Sequence, residues 1–180
     1  KSQYHDAKLL AVLIFEYKQM TFDDINLLIK DVISWDLCNH LCKNLIIKIK
    51  GYQLLIPQWV TSQHIYVKRA AFVLLACDVI HNKNILDSTL DTYLHFIRDY
   101  SHDEHIHIKK AISTALKEIG KKDFDYHEKA LLLSYELIQD GDKVQRWIAN
   151  DAKKELEKLV KVQGRSRLIS RHSLMGKEEH

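Results

Sequence analysis

The chain has 180 residues, with 27 Lys and Arg against 24 Asp and Glu. That length holds one domain with a continuous core, while one proline and five glycines exclude a turn-rich β fold. The net charge of +3 is too small to announce a polyanion partner by itself, so any such claim rests on where the charges lie.

The apolar spacing predicts helices throughout. Tyr4 to Gln19 forms the first, with Leu9, Leu10, Val12, Leu13 and Ile14 on its face. Thr21 caps Phe22 to Lys30, and Asp23 and Asp24 in the first turn suit the helix dipole. Ser34 is expected to cap a helix from Trp35 to about Lys48. Gly51 and Pro57 mark breaks around a short segment holding Trp59. Thr61 or Ser62 starts a helix that carries Arg69 and ends near His81 and Asn82. Asp87 to Tyr100 follows. The run Ser101-His102-Asp103-Glu104 opens a helix closed by Gly120, then Asp123 to Gln139, then Asp142 to about Val162. Residues 1–162 are therefore expected to form one helical-repeat domain. After Gly164 the apolar pattern fails. Arg165, Arg167 and Arg171 are interleaved with Ser and His, and 163–180 reads as a flexible basic tail, either a frayed terminus or an arm that contacts phosphate.

Three stretches are spelled alike, beginning at Val67, Ile108 and Val144. Each reads aliphatic, polar, basic, then apolar at helical spacing. Arg69 to Lys110 is 41 positions and Lys110 to Arg146 is 36, a period that suits stacked helix pairs of the HEAT or armadillo kind. The expected fold class is therefore all-α, a superhelical stack with a concave basic face. Lys68, Arg69, Lys109, Lys110 and Arg146 would form a ladder of positive charge. The natural partner of such a ladder is a polyanion with regular charge spacing.

Three cysteines argue against a disulfide scaffold and fit a reducing cytoplasm. No apolar run reaches the length of a membrane span. No secretory signal is evident, and because the chain opens on Lys1 rather than Met, a preceding segment is expected. Cys38 and Cys42 lack the two further ligands of a zinc site and read as small buried hydrophobes. His102, His105 and His107 are spaced by three and two, so their rings splay. A solvated helix terminus accounts for them better than a metal. No metal site or cofactor is expected. Trp147 reads as a buried side chain between helices, and Trp59 and Tyr66 divide between core and cleft.

Several segments resemble the AlkD-like DNA alkylation repair proteins. They are Ser34-Trp35-Asp36-Leu37-Cys38-Asn39-His40-Leu41, then Trp59-Val60-Thr61-Ser62 with Tyr66-Val67-Lys68-Arg69-Ala70-Ala71-Phe72-Val73. Asp103-Glu104, Ile108-Lys109-Lys110-Ala111-Ile112 and Ala115-Leu116-Lys117-Glu118 continue the match. The resemblance spans roughly Tyr4 to Leu159, with the family's N-terminal helices shortened or missing. It implies HEAT-like helix pairs and a glycosylase that excises cationic N3- and N7-alkylpurines from duplex DNA. The family site holds two tryptophans, an aspartate and an arginine. Trp35 matches the first tryptophan and Arg69 the arginine. Asn39 stands in place of the aspartate and Thr114 in place of the second tryptophan.

That half-kept set implies weakened or lost excision, because one well-placed electrostatic group is commonly worth about 3 kcal/mol. Asp36, about one helical turn before Asn39, is the neighbouring carboxylate that could substitute, although it also reads as an early-turn acid serving the helix dipole. The expected partner is double-stranded DNA, alkylated or not, bound by a monomer through Lys68, Arg69, Lys109, Lys110, Thr114 and Arg146. The alternative reading is a non-catalytic repeat scaffold that binds a protein or branched DNA.

Overall fold

The computed structural model describes residues 2–178 and is all-α apart from one two-stranded ribbon. In chain order the helices are α1 (Ser2–Ile14), α2 (Phe22–Lys30), α3 (Trp35–Asn44), α4 (Ile56–Trp59), α5 (Ile65–His81), α6 (Asp87–Tyr100), α7 (Ile106–Gly120), α8 (Phe124–Gln139), α9 (Lys143–Leu156) and α10 (Leu174–Glu178). The strands are β1 (Leu159–Val160) and β2 (Ile169–Ser170). Among the described residues, no helix is long and apolar enough to cross a membrane. The chain divides into two compact units, Lys1–Asp78 and Val79–His180, with the boundary inside α5.

In the first unit, Thr21 caps α2 as expected. Its hydroxyl accepts from the Asp24 N–H, and the Asp24 carboxylate accepts from the Thr21 N–H, satisfying two otherwise unpaired donors. Leu37, Cys38, Leu41 and Cys42 form the buried face of α3 at helical spacing. Ser34 occupies the cap position of α3 but makes no capping bond, and its buried hydroxyl has no partner among the described residues. The expected Ser34 cap is thus corrected. Helix α5 is buried almost all round from Val67 to Val79, as a central helix must be. Trp59 is buried, and its indole N–H donates to Asn26 Oδ1 at 2.9 Å. Of the two aromatics divided between core and cleft, Trp59 is the core residue. Asp78 is also buried and accepts from Tyr52 Oη and Gln53 Nε2, the pairing a buried polar group needs.

The second unit is built from two copies of one helix pair. In α7, Ile108, Ala111, Ile112, Ala115 and Ile119 are buried; in α9, Gln145, Ile148, Ala149, Ala152 and Leu156 are buried. Each residue of the second set lies 37 positions after its counterpart. Tyr93 and Ile97 of α6 stand to Ala130 and Ser134 of α8 by the same shift, and all four are buried. Equivalent elements run parallel. Asp91 pairs with Lys129 and Arg98 with Glu136 across α6 and α8. Ser113 bonds Asp151, and Lys117 reaches Asp151 and Glu155, across α7 and α9. Short connections fold each pair back on itself, and the repeat stack read from the sequence is present here.

The structural period corrects the spelling. A shift of 36 had aligned Lys110 with Arg146; a shift of 37 makes Lys109 the counterpart of Arg146, and Lys110 that of Trp147. Burial is the better guide, because the face that packs is fixed while charged residues drift around the exposed arc.

The chain after Leu156 also differs from the sequence expectation. Helix α9 stops there rather than near Val162, because β1 and β2 pair antiparallel with Leu159 opposite Ser170 and Val160 opposite Ile169. Val162 and Leu168 are buried. The segment read as an unpacked basic tail is attached to the second unit. Its apolar residues are too few and too irregular for a helical pattern, and a two-residue ladder leaves almost no alternation to detect.

Candidate functional site

Helix α3 presents Trp35 and Asn39 one turn apart, at the edge of its buried face. Trp35 is 52% exposed, and Asp36 and Asn39 are half-buried. From α5, Arg69 comes to meet them. It is only 7% exposed, and its Nη2 donates to Asn39 Oδ1 at 2.9 Å. Two residues far apart in sequence, Asn39 and Arg69, are thus joined directly.

The surrounding contact between α3 and α5 is dry. Cys38 Sγ donates to the Tyr66 carbonyl at 3.6 Å and Cys42 Sγ to the Ala70 carbonyl at 4.0 Å. Both thiols are buried and outside any disulfide, as is Cys77. Burial pushes the Cys42 thiol well up from its ordinary range, so it is an inert core group rather than a nucleophile. Among the described residues no cluster of His, Cys, Asp and Glu could hold a metal.

In the second unit the other sequence-predicted residues lie on the outward sides of α7 and α9. Lys110, Thr114 and Arg146 are exposed. The Thr114 hydroxyl is turned back onto the Lys110 carbonyl at 2.9 Å, and Arg146 Nε reaches the Asp142 carbonyl at 3.3 Å. Lys109 is half-buried because its ammonium sits 4.6 Å above the Trp147 ring, a cation–π contact. Trp147 is therefore not the buried residue expected; at 36% exposed it belongs to this surface. Lys68 is half-buried on α5 in the first unit.

The histidines serve the helix ends. His105 caps α7, its Nδ1 accepting from the His107 N–H at 3.2 Å. His102 Nδ1 lies 2.8 Å from Asp142 Oδ2. The backbone N–H of Gln145, with His102 second, holds the Asp142 carboxyl below its usual range.

Sequence reading missed the polar ladder between α7 and α9. Ser113 Oγ donates to Asp151 at 2.6 Å, Lys117 to Asp151 at 3.0 Å, and Lys121 to Glu155 at 2.6 Å and Glu118 at 2.8 Å. Arg167 continues it by meeting the Glu118 carboxylate at 2.8 Å. The signal was present: Lys117 and Lys121 are four apart, and so are Asp151 and Glu155, which puts both pairs on facing stripes.

The family model described as DNA alkylation repair enzyme matches residues 1–156. The chain belongs to that DNA alkylation repair family. Neither the curated proteins nor the solved structures contain a significant match to it. This member of the DNA alkylation repair family carries Asn39 and Arg69 in direct contact, with Trp35 exposed beside them and Thr114 at the surface of α7.

Proposed function

We propose that this chain binds duplex DNA as a catalytically weakened relative of the glycosylases that release cationic N3- and N7-alkylpurines. The observation that carries the reading is the Arg69–Asn39 contact beside an exposed Trp35. An alkylated purine is already a good leaving group, so little acid catalysis is required. The reaction needs negative charge near the sugar as oxocarbenium character develops, a positioned water, and an aromatic face for the cationic nucleotide. Trp35 supplies such a face. Arg69 suits a neighbouring phosphate through charge-assisted hydrogen bonds.

Asn39 is the weak point. Arg69 already occupies its Oδ1, so the rest of that amide offers the Nδ2 donor, the wrong polarity for a cationic sugar. The loss of one such group costs about 3 kcal/mol, or 10²–10³ in rate. Lys68, Lys109, Lys110 and Arg146 are assigned to phosphate contact. Thr114, on α7, carries a hydroxyl at the position where the family resemblance implies a tryptophan.

The test is single-turnover excision of N7-methylguanine and N3-methyladenine from duplexes by wild type, Asn39→Asp, Asp36→Ala and Asn39→Asp with Thr114→Trp. Wild type should be slow, Asn39→Asp faster by about 10²-fold, and the double variant faster again. Fast wild-type excision abolished by Asp36→Ala would instead assign the carboxylate role to Asp36. Intact DNA binding with no excision by any variant would make the protein a non-catalytic DNA-binding relative.

A further inference from the structure

We infer that the C-terminal hairpin, residues 158–177, is a pre-mounted contact for the phosphate backbone of duplex DNA, additional to the residues assigned above. The inference rests on the reading of DNA as the partner.

The distribution of charge points to it. Residues 158–177 contain Lys158, Lys161, Arg165, Arg167, Arg171 and Lys177 and no Asp or Glu. Removing those six from the 27 basic residues leaves 21, against 24 acidic residues in the whole chain. The segment therefore carries +6 while everything else sums to −3. Residues 1–156, the span that matches the family, hold 21 basic and 21 acidic residues. A body of zero net charge attracts a polyanion only through local patches, and non-specific DNA affinity comes almost wholly from neutralised phosphates. In this chain the excess positive charge lies beyond the family match.

The mounting is the second observation. One of the six cations is turned inward. Arg167 donates to the carbonyls of Val79 and Glu118 and to the Glu118 carboxylate, each at 2.8 Å. The Leu168 N–H bonds the Lys121 carbonyl at 2.8 Å, and the Arg171 N–H bonds the Lys158 carbonyl at 2.7 Å. Gly176 lies so close to β2 that a Cβ there would stand 2.4 Å from the Ser170 carbonyl oxygen, which packs α10 against the ribbon. Gly164 makes the turn at φ +76° in open space, the left-handed region that glycine adopts without strain.

The other five cations, Lys158, Lys161, Arg165, Arg171 and Lys177, are exposed. Their recorded hydrogen-bond partners are neutral: Lys161 donates to the Arg165 carbonyl, Arg165 to Met175 Sδ and Arg171 to the Glu157 carbonyl. Among the described residues no salt bridge neutralises any of the five. A cationic surface already fixed on a folded support loses little conformational entropy on binding. The competing partner is an anionic membrane, since Leu174 is 84% exposed. A five-residue helix offers little apolar area for the interface, whereas membrane-surface helices bury a long apolar face.

The experiment measures binding of an unmodified duplex as salt is varied. It compares wild type with the variant Lys161→Gln, Arg165→Gln, Arg171→Gln and Lys177→Gln, and with Lys110→Gln and Arg146→Gln together. The fourfold variant should bind at least tenfold more weakly, and its salt slope should fall by about one unit per lost contact. Arg165→Lys with Arg171→Lys should keep the slope. If the fourfold variant fails to fold, Arg165→Gln and Lys177→Gln singly read the same slope, about one unit each. An unchanged slope and affinity in the hairpin variants, with a loss in the Lys110/Arg146 variant, overturns the hairpin assignment and leaves the DNA reading intact. Failure of the wild type to bind any duplex overturns both. Tighter wild-type binding to phosphatidylserine vesicles than to the duplex also overturns the assignment.

Discussion

The contact between α3 and α5 and the contact between α7 and α9 join helices by opposite means. The first is dry: thiols bond to backbone carbonyls, and one guanidinium, 7% exposed, meets one amide. The second is a half-wet ladder in which Ser113, Lys117 and Lys121 meet Asp151 and Glu155, and the carboxylates remain about 40% exposed. The difference teaches where a single substitution should matter. A polar group withdrawn from water depends on its few partners, because nothing replaces them. In a ladder open to solvent, neighbours and water share each loss.

The largest expected effect is therefore at Arg69. Arg69→Ala removes a hydrogen bond to a charged donor inside the α3–α5 contact and leaves a void, so stability should fall by about 3 kcal/mol. Urea unfolding followed by far-UV circular dichroism checks this, with the midpoint lowered and the slope unchanged. A fall below about 0.5 kcal/mol would show that the dry contact is no more fragile than the wet one. Asn39→Asp sharpens the same contrast. It sets a carboxylate against Arg69, whose charge should depress that carboxyl below the ordinary Asp value of about 3.9. The stability so gained is present above that pH and lost as pH falls through the lowered value. The advantage over wild type should be visible at neutral pH and absent in strong acid.

An intermediate effect is expected in the ladder. Burial works against ionised Asp151, but the bonds from Ser113 and Lys117 outweigh it and hold its carboxyl below the usual range. Ser113→Ala should cost about 1 kcal/mol. Asp151→Asn should cost a similar amount at neutral pH and progressively less as pH falls below the ordinary carboxylate value and through the lowered value of folded Asp151, where wild type loses that charge too. Thermal unfolding at several pH values reads both. A pH-independent difference would mean that the ladder acts through packing rather than charge.

Most of the helices were legible because their signals are local. Thr21, Asp123 and Asp142 each cap the helix they precede, and Asp87–Tyr100 begins and ends where the pattern says. Helix α1 ends at Ile14 rather than Gln19, and Tyr17–Gln19 form a separate 3₁₀ turn whose side chains are all exposed. The repeat was legible in kind but one residue out in register, since charged residues are poor markers of phase and buried ones were not yet known. The Asn39–Arg69 contact was implied only by resemblance; nothing local in the sequence brings positions 39 and 69 together. The cation–π pair of Lys109 and Trp147 was missed because exposure, not spacing, separates a surface tryptophan from a core one.

The smallest expected effect is between α6 and α8, where Arg98 and Glu136 form a two-pronged pair, Nε to Oε1 at 2.9 Å and Nη2 to Oε2 at 2.7 Å. The Glu136 hydrogen bond raises the Arg98 pKa, yet the two side chains are 44% and 45% exposed. Water and salt screen a pair of that exposure, so its coupling should be below about 1 kcal/mol despite good geometry. A double-mutant cycle with Arg98→Ala and Glu136→Ala measures it, repeated in high salt where it should shrink further. The pair joins successive repeats across 38 positions, as Ser113 and Asp151 do, but lacks their partial burial. If its coupling matched or exceeded that of Ser113 with Asp151, burial would not be what grades these contacts, and geometry alone would have to explain why one rung holds more firmly than another.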